Sequence, residues 1–141
     1  MEQSDYLKRQ IDQLGLVLAK LLASILGLPQ KKIPADTLAE IDRVLQNELS
    51  LNTKTIAASP KSGFAEMLKT DKGASDESIS LLADLIMMVA DNMPDDAADK
   101  KLLYEQSLAM YEFLRKNETT LSFGNWLSVD FLKEKLKKYN A

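Results

Sequence analysis

"DYLKRQIDQLGLVLAKLLASILGL", residues 5 to 28, is a long apolar run near the start of the chain. Four roles fit such a run: a secretion signal, a membrane anchor, a dimer seam or a core helix. A signal needs a basic start, a short apolar run and a small-residue cleavage site. Here Glu2, Asp5 and Asp12 mingle with Lys8 and Arg9, and the helical pattern has already begun. A membrane span needs about 18 apolar residues in a row. The candidate run, Leu14 to Leu28, is shorter and holds Lys20 near its middle.

Leu7, Ile11, Leu14, Leu18, Leu21, Ile25 and Leu28 recur at alternating steps of four and three, a heptad seam. Val17, Leu22 and Leu26 widen that seam to about half the helix circumference at 100° per residue. So broad a face exceeds what one partner helix covers and suits a helix lying in the groove between two others. The reading is a core helix. Gly15 falls on the shoulder of the face, where close approach of another backbone is expected. Leu16 points away from the apolar face. A single exposed leucine needs no role, but as an apolar outlier it is a candidate partner contact.

Downstream, Gly27, Leu28 and Pro29 stop the first helix. A second helix is expected from Pro34–Asp36 through Leu38, Ile41, Val44, Leu45 and Leu49. "NTKTIAASPKSG", residues 52 to 63, reads as a loop or a broken helical turn around Pro60, and "GFAEMLKT" as a short helix burying Phe64, Met67 and Leu68. Ser75 or Asp76 caps the next helix, Glu77 to about Asn92, the most apolar of all. One stripe there is Ile79, Leu82, Ile86, Val89 and Met93, and another is Leu81, Leu85 and Met88. Asp84 and Asp91 share a side and read as its solvent edge. A helix to about Lys116 buries Leu103, Tyr104, Leu108, Tyr111 and Leu114. After "TTLSFGNWLS", residues 119 to 128, Ser128 is expected to cap a last helix over Val129–Tyr139, with Phe131, Leu132 and Leu136 inward. Leucine dominates and strand formers are scarce. The fold class is therefore all-α: antiparallel helix pairs, as a short tetratricopeptide-like stack or a bundle, in one domain over residues 1–141.

The chemistry is defined by what is missing. There is no cysteine and no histidine, so disulfides, thiolate nucleophiles, histidine bases and the commonest metal ligands are excluded. With 18 basic and 21 acidic residues the net charge is −3, which argues against a nucleic-acid binder. The basic run "KEKLKKYN", residues 133 to 140, suits the last turns of a helix. "DNMPDDAAD", residues 91 to 99, is the nearest approach to a calcium loop, but Met93 and Asp96 stand where a ligand and a glycine are required. Helix capping accounts for these acids. "NET" at 117 to 119 formally fits a glycosylation acceptor and carries nothing without an export signal.

No phosphate loop, dinucleotide fingerprint or zinc helix is present. We therefore expect no catalytic, cofactor or metal residues, and no enzyme. Phe123 and the sole tryptophan, Trp126, either plug the end of the core or anchor a partner. With Leu16 they are the candidate partner-binding residues.

"DYLKRQIDQLGLVLAKLL" is similar to the opening of a family of small bacterial all-helical proteins of unknown function. "LYEQSLAMYEFL" followed by "TLSFGNW" is similar to that family's later helix and turn. The resemblance implies a tetratricopeptide-like arrangement of antiparallel helices and transfers no site residues. The chain departs from true arrays, since nothing repeats at ~34 residues. The leading expectation is a cytoplasmic, non-catalytic protein-interaction module with an unidentified protein partner and no membrane insertion. The alternative is a homodimeric helical domain binding a small apolar ligand in a cavity lined by Met87 and Met88.

Overall fold

A computed structural model describes the backbone of residues 2–28, 32–116 and 123–140, and the side chains of 14–28, 32–116 and 128–139. Seven helices follow one another among the described residues: α1 (Glu2–Leu26), α2 (Ala35–Leu49), α3 (Thr53–Ala58), α4 (Phe64–Thr70), α5 (Asp76–Asp91), α6 (Ala98–Lys116) and α7 (Phe123–Asn140). No strand occurs among these residues, so the chain is all-α.

Local chemistry sets the helix ends. Ser75 caps α5, its hydroxyl accepting from the Ser78 amide at 3.1 Å, with Asp76 and Glu77 in the first turn where the helix dipole favours acids. Asn92 closes α5: its side-chain amide donates to Met88 O at 3.0 Å. Its carbonyl oxygen accepts the Ile33 amide at 2.8 Å, so the linker before α2 is tied to that end of α5. The stretch expected as a loop or a broken helical turn around Pro60 contains α3, a six-residue helix ending before that proline. The missed signal is a capping box, in which Asn52 and Thr55 each accept the other's backbone amide at 2.9 and 2.8 Å. α4 enters through Gly63 at φ +85°, a left-handed conformation that disfavours a side chain.

The centre is the α5–α6 hairpin. Tyr111 donates to Asp84 and Tyr104 to Asp91 at 2.5 Å, so residue numbers fall on α6 as they rise on α5, and Ser107 adds a bond to Ala83 O at 2.7 Å. The pair is antiparallel. Its seam buries Leu82, Leu85 and Ile86 against Leu103, Met110 and Leu114. α1 packs on α5, while α3, α4 and α7 pack on α6. α1 contributes Leu18, Leu22 and Ile25 to the core, α2 Ile41, Leu45 and Leu49, and α7 Val129, Leu132 and Leu136. Full burial of each such leucine or isoleucine is worth about 1.5–3 kcal/mol, which is why the apolar stripes dominate the arrangement.

Gln106, wholly buried, carries α3 on α6: its amide donates to Ile56 O at 3.0 Å and Ser59 O at 2.6 Å, satisfying carbonyls at the end of a six-residue helix.

Three expectations are corrected. Leu26 does not widen the buried face of α1: it is exposed, 80° round the wheel from Leu16, while the core-facing residues Leu18, Leu22 and Ile25 occupy the half opposite Leu16. Phe131 is also turned outward, and the Lys135 ammonium stands 5.1 Å from its ring centroid. Ser128 does not cap the last helix, because α7 begins at Phe123 and Ser128 lies within it.

Gly15 approaches side chains and not a backbone. A Cβ built there would meet Ser78 Oγ at 3.4 Å and Leu81 Cδ1 at 3.8 Å, ordinary contacts. Gly15→Ala is therefore expected to raise stability by about 0.5–1 kcal/mol, since it removes a glycine from a helix interior without a clash. Urea denaturation measures the change; a loss of stability would mean that α1 sits closer to α5 than these distances.

Candidate protein-interaction surface

α1 is apolar on two sides. Leu18, Leu22 and Ile25 face the core, whereas Leu16 is 61% and Leu26 is 70% exposed. Ala19 and Ala23, both exposed, lie between the two leucines, giving an outer stripe at steps of three, four and three. Lys20 and Ser24 border the stripe on one flank. On the other flank a shallow groove of about 380 Å³ opens between α1 and the start of α5, with Gly15, Leu16 and Ala19 on one wall and Ser75, Ser78 and Leu81 on the other. Leu16 belongs to both features. Two large apolar side chains presented to water on one helix face make a surface that burial by a partner would stabilise.

Of the three sequence candidates, Leu16 is therefore outside the core, at the mouth of the groove. Phe123 and Trp126 belong to the first turn of α7 by backbone, and their side chains lie outside the described residues, as do those of Leu7 and Ile11. Leu121 lies outside them altogether. Leu26 was missed because it was assigned to the wide apolar face. Its angle is the available signal, since at 100° per residue Leu26 lies 80° from Leu16 and 100° from Ile25, at the edge of the core-facing arc beyond Leu22.

A second concavity, about 730 Å³, lies between α4 and α6 and is lined by Lys61, Lys69, Lys116, Glu66 and Glu112 among others. Its charges alternate, and two of the lysines are engaged: Lys61 with Glu105 at 3.3 Å and Lys69 with Asp76 at 2.9 Å. It is thus not a concentrated anion site. Met87 and Met88 are half-buried against the core and line neither concavity.

The ionisable groups serve the hairpin. Asp84 and Asp91 are not merely a solvent edge, for each accepts a tyrosine hydroxyl from α6. Burial pushes the Asp84 carboxyl above its ordinary value of 3.8, more than the Tyr111 hydrogen bond lowers it. The Tyr104 hydroxyl is held well above 10.0 by burial first and by its bond to Asp91 second. Lys100, almost wholly buried, donates to Met93 O at 2.8 Å and Asp95 Oδ1 at 3.0 Å, and lies 5.9 Å from the Tyr104 ring centroid. The Lys100 hydrogen bond and charge hold Asp95 below 3.8, with Lys138 and Lys135 adding to it. These contacts pin the α5–α6 turn. No group of three or more acids suited to a metal occurs among the described residues.

Asp84 yields a pH prediction. A carboxyl whose folded pKa is raised disfavours the fold while charged, and the penalty disappears as pH falls through the folded pKa towards 3.8. Asp84→Asn keeps an acceptor for Tyr111. The variant is expected to melt above the wild type at pH 7 and to lose that advantage near pH 4. A variant that melts lower at pH 7 would show that the charged hydrogen bond outweighs desolvation.

Fold and surface together define an all-helical protein that leaves one apolar helix face open beside a shallow groove. No helix among the described residues is long and apolar enough to cross a membrane. No protein-family model matches the chain, and no curated protein or solved structure does either.

Proposed function

We propose that the protein is a non-catalytic interaction module, built of antiparallel helix pairs in a tetratricopeptide-like manner, that takes a protein partner on the outer face of α1. The observation that carries this reading is the exposure of both Leu16 and Leu26 on that face. Apolar anchors flanked by small residues accept an amphipathic helix, whose own leucines or aromatics settle between them. Lys20 and Ser24 would form part of the polar rim. The absence of histidine and cysteine from the sequence, and the engagement of the hairpin's Asp, Tyr and Lys side chains with one another, support the non-catalytic part.

The test compares the tagged wild type with the Leu16→Lys/Leu26→Lys variant in capture from the native lysate, after circular dichroism has shown both to be folded. The expected result is a stoichiometric protein retained by the wild type and reduced at least ~10-fold by the variant, as for the loss of 1.4 kcal/mol or more. Equal capture by both proteins would contradict the reading.

A further inference from the structure

We infer that the groove between α4 and α6 is a second docking surface, separate from the outer face of α1, and that its occupant is a partner helix lying antiparallel to α6. That helix presents an acid, a base, a leucine-sized apolar residue and a second acid at positions i, i+4, i+7 and i+11.

The direction of the groove follows from its ion pairs. Lys61, just before α4, pairs with Glu105 in the first half of α6 at 3.3 Å. Lys69, in the last turn of α4, pairs with Asp76 at 2.9 Å. Asp76 opens α5, and the antiparallel hairpin sets that end of α5 level with the last turn of α6. α4 and α6 therefore run parallel, with the concavity of about 730 Å³ between them. Its charges are ordered along this axis. Lys61 stands at one end, Glu66 and Glu112 follow on opposite walls, and Lys69 and Lys116 close the other end.

A helix fits this order in register. At 1.5 Å per residue, Glu112, Ala109 and Glu105 lie about 6, 10 and 16 Å along α6 from Lys116. An antiparallel helix matches these steps residue for residue. Its acid at i meets Lys116 and Lys69, and its base at i+4 meets Glu112 and Glu66. Its apolar side chain at i+7 settles over Ala109 and Ala65, and its acid at i+11 meets Lys61. The four positions share one helix face, as groove recognition of a helix requires. The antiparallel sense also opposes its dipole to those of α4 and α6.

Uniform charge does not fit: Glu66 and Glu112 repel an all-acidic segment, and the three lysines repel an all-basic one. Lys61 and Lys69 retain donors beyond their present acids, since an ammonium has three. All five charged side chains are exposed, so their contacts form in water and are screened by salt. The association is accordingly weak, with a Kd on the order of 100 μM.

Fluorescence anisotropy with labelled, stapled helical peptides tests the inference on the full-length protein. The matched peptide carries the four residues in that order among alanine and glutamine; the others exchange its charges, make all three charged positions acidic, or swap its base and leucine. The matched peptide is expected to bind at least ~10-fold tighter than any of them at about 50 mM salt, with a smaller margin at about 500 mM. Glu66→Lys/Glu112→Lys, checked for folding by circular dichroism, should weaken it at least ~10-fold, and Lys116→Glu at the other end at least ~3-fold. Leu16→Lys/Leu26→Lys should bind it as wild type does, which separates this result from the α1 reading; weakening there would place the peptide on α1 and overturn the inference. Tighter binding of the swapped peptide would overturn the antiparallel sense. Equal binding of the charge-exchanged peptide, tighter binding of the acidic one, or no binding at 1 mM, on the order of ten times the expected Kd, would overturn the docking surface.

Discussion

Gln106→Glu is expected to cost about 3–5 kcal/mol of stability, close to the whole of what a small domain has. The wild-type side-chain amide donates two hydrogen bonds to the carbonyls of Ile56 and Ser59 and is wholly buried. The introduced carboxylate has no proton to give them and brings a negative charge against two carbonyl oxygens. Gln106→Leu should be milder, about 1–2 kcal/mol, because it takes the Gln106 bond from both carbonyls but leaves Ile56 O its bond from the Ser59 amide at 3.2 Å, and it also removes Gln106 Oε1, which has no hydrogen-bond partner. Burial raises the pKa of the introduced carboxyl, so the Glu variant's deficit should shrink as pH falls and the group takes up its proton. Urea titrations at pH 7 and pH 4.5 read both effects. Equal stability of Gln106→Glu and wild type at pH 7 would mean that α3 does not depend on this residue.

Leu18→Lys is the second large effect. Leu18 is 1% exposed, so the variant loses a buried leucine and gains an ammonium with no acid prepared for it. Loss of the leucine alone amounts to about 2–5 kcal/mol, and burial of the charge adds to it. The same change two residues earlier, Leu16→Lys, should fall within about 0.5 kcal/mol of the wild type, as surface substitutions usually do. Lysine and leucine have nearly equal helix propensity, so the difference between the two variants reports burial and not backbone preference. Thermal melts by circular dichroism suffice: a small effect at Leu18, or a large one at Leu16, would reverse the assignment of α1's faces.

Most of the elements could be read in the sequence because leucine and isoleucine repeat at helical spacing and Ser75, Pro34 and Gly27 punctuate them. The missed elements fail for identifiable reasons. α3 stays open between a loop and a broken helical turn in the sequence, because it is too short to show a period and depends on the reciprocal Asn52–Thr55 cap, and Gln106 reaches it from a helix some fifty residues away. The start of α7 was misplaced because Gly124 and Asn125 read as a turn, yet the helix passes through them. Asp84 and Asp91 looked solvated because nothing local announces that Tyr111 and Tyr104 will stand opposite. That correspondence arises only when α5 and α6 fold back on each other.

The surface was half legible. Leu16 stands out because its neighbours on the wheel are polar or small. Leu26 was concealed by Ile25, since a seam drawn generously enough to include Val17 and Leu22 takes in Leu26 as well. Burial separates them, with Ile25 at 5% and Leu26 at 70%.

The central claim is that α1 carries a second apolar face that the fold does not need. Urea denaturation of the Leu16→Lys/Leu26→Lys variant tests it most directly, with wild type and Leu18→Lys alongside. The account predicts that the double variant unfolds within about 1 kcal/mol of the wild type, the sum of two surface changes, and with the same m-value. A loss approaching that of Leu18→Lys would place Leu16 and Leu26 in the core and contradict it.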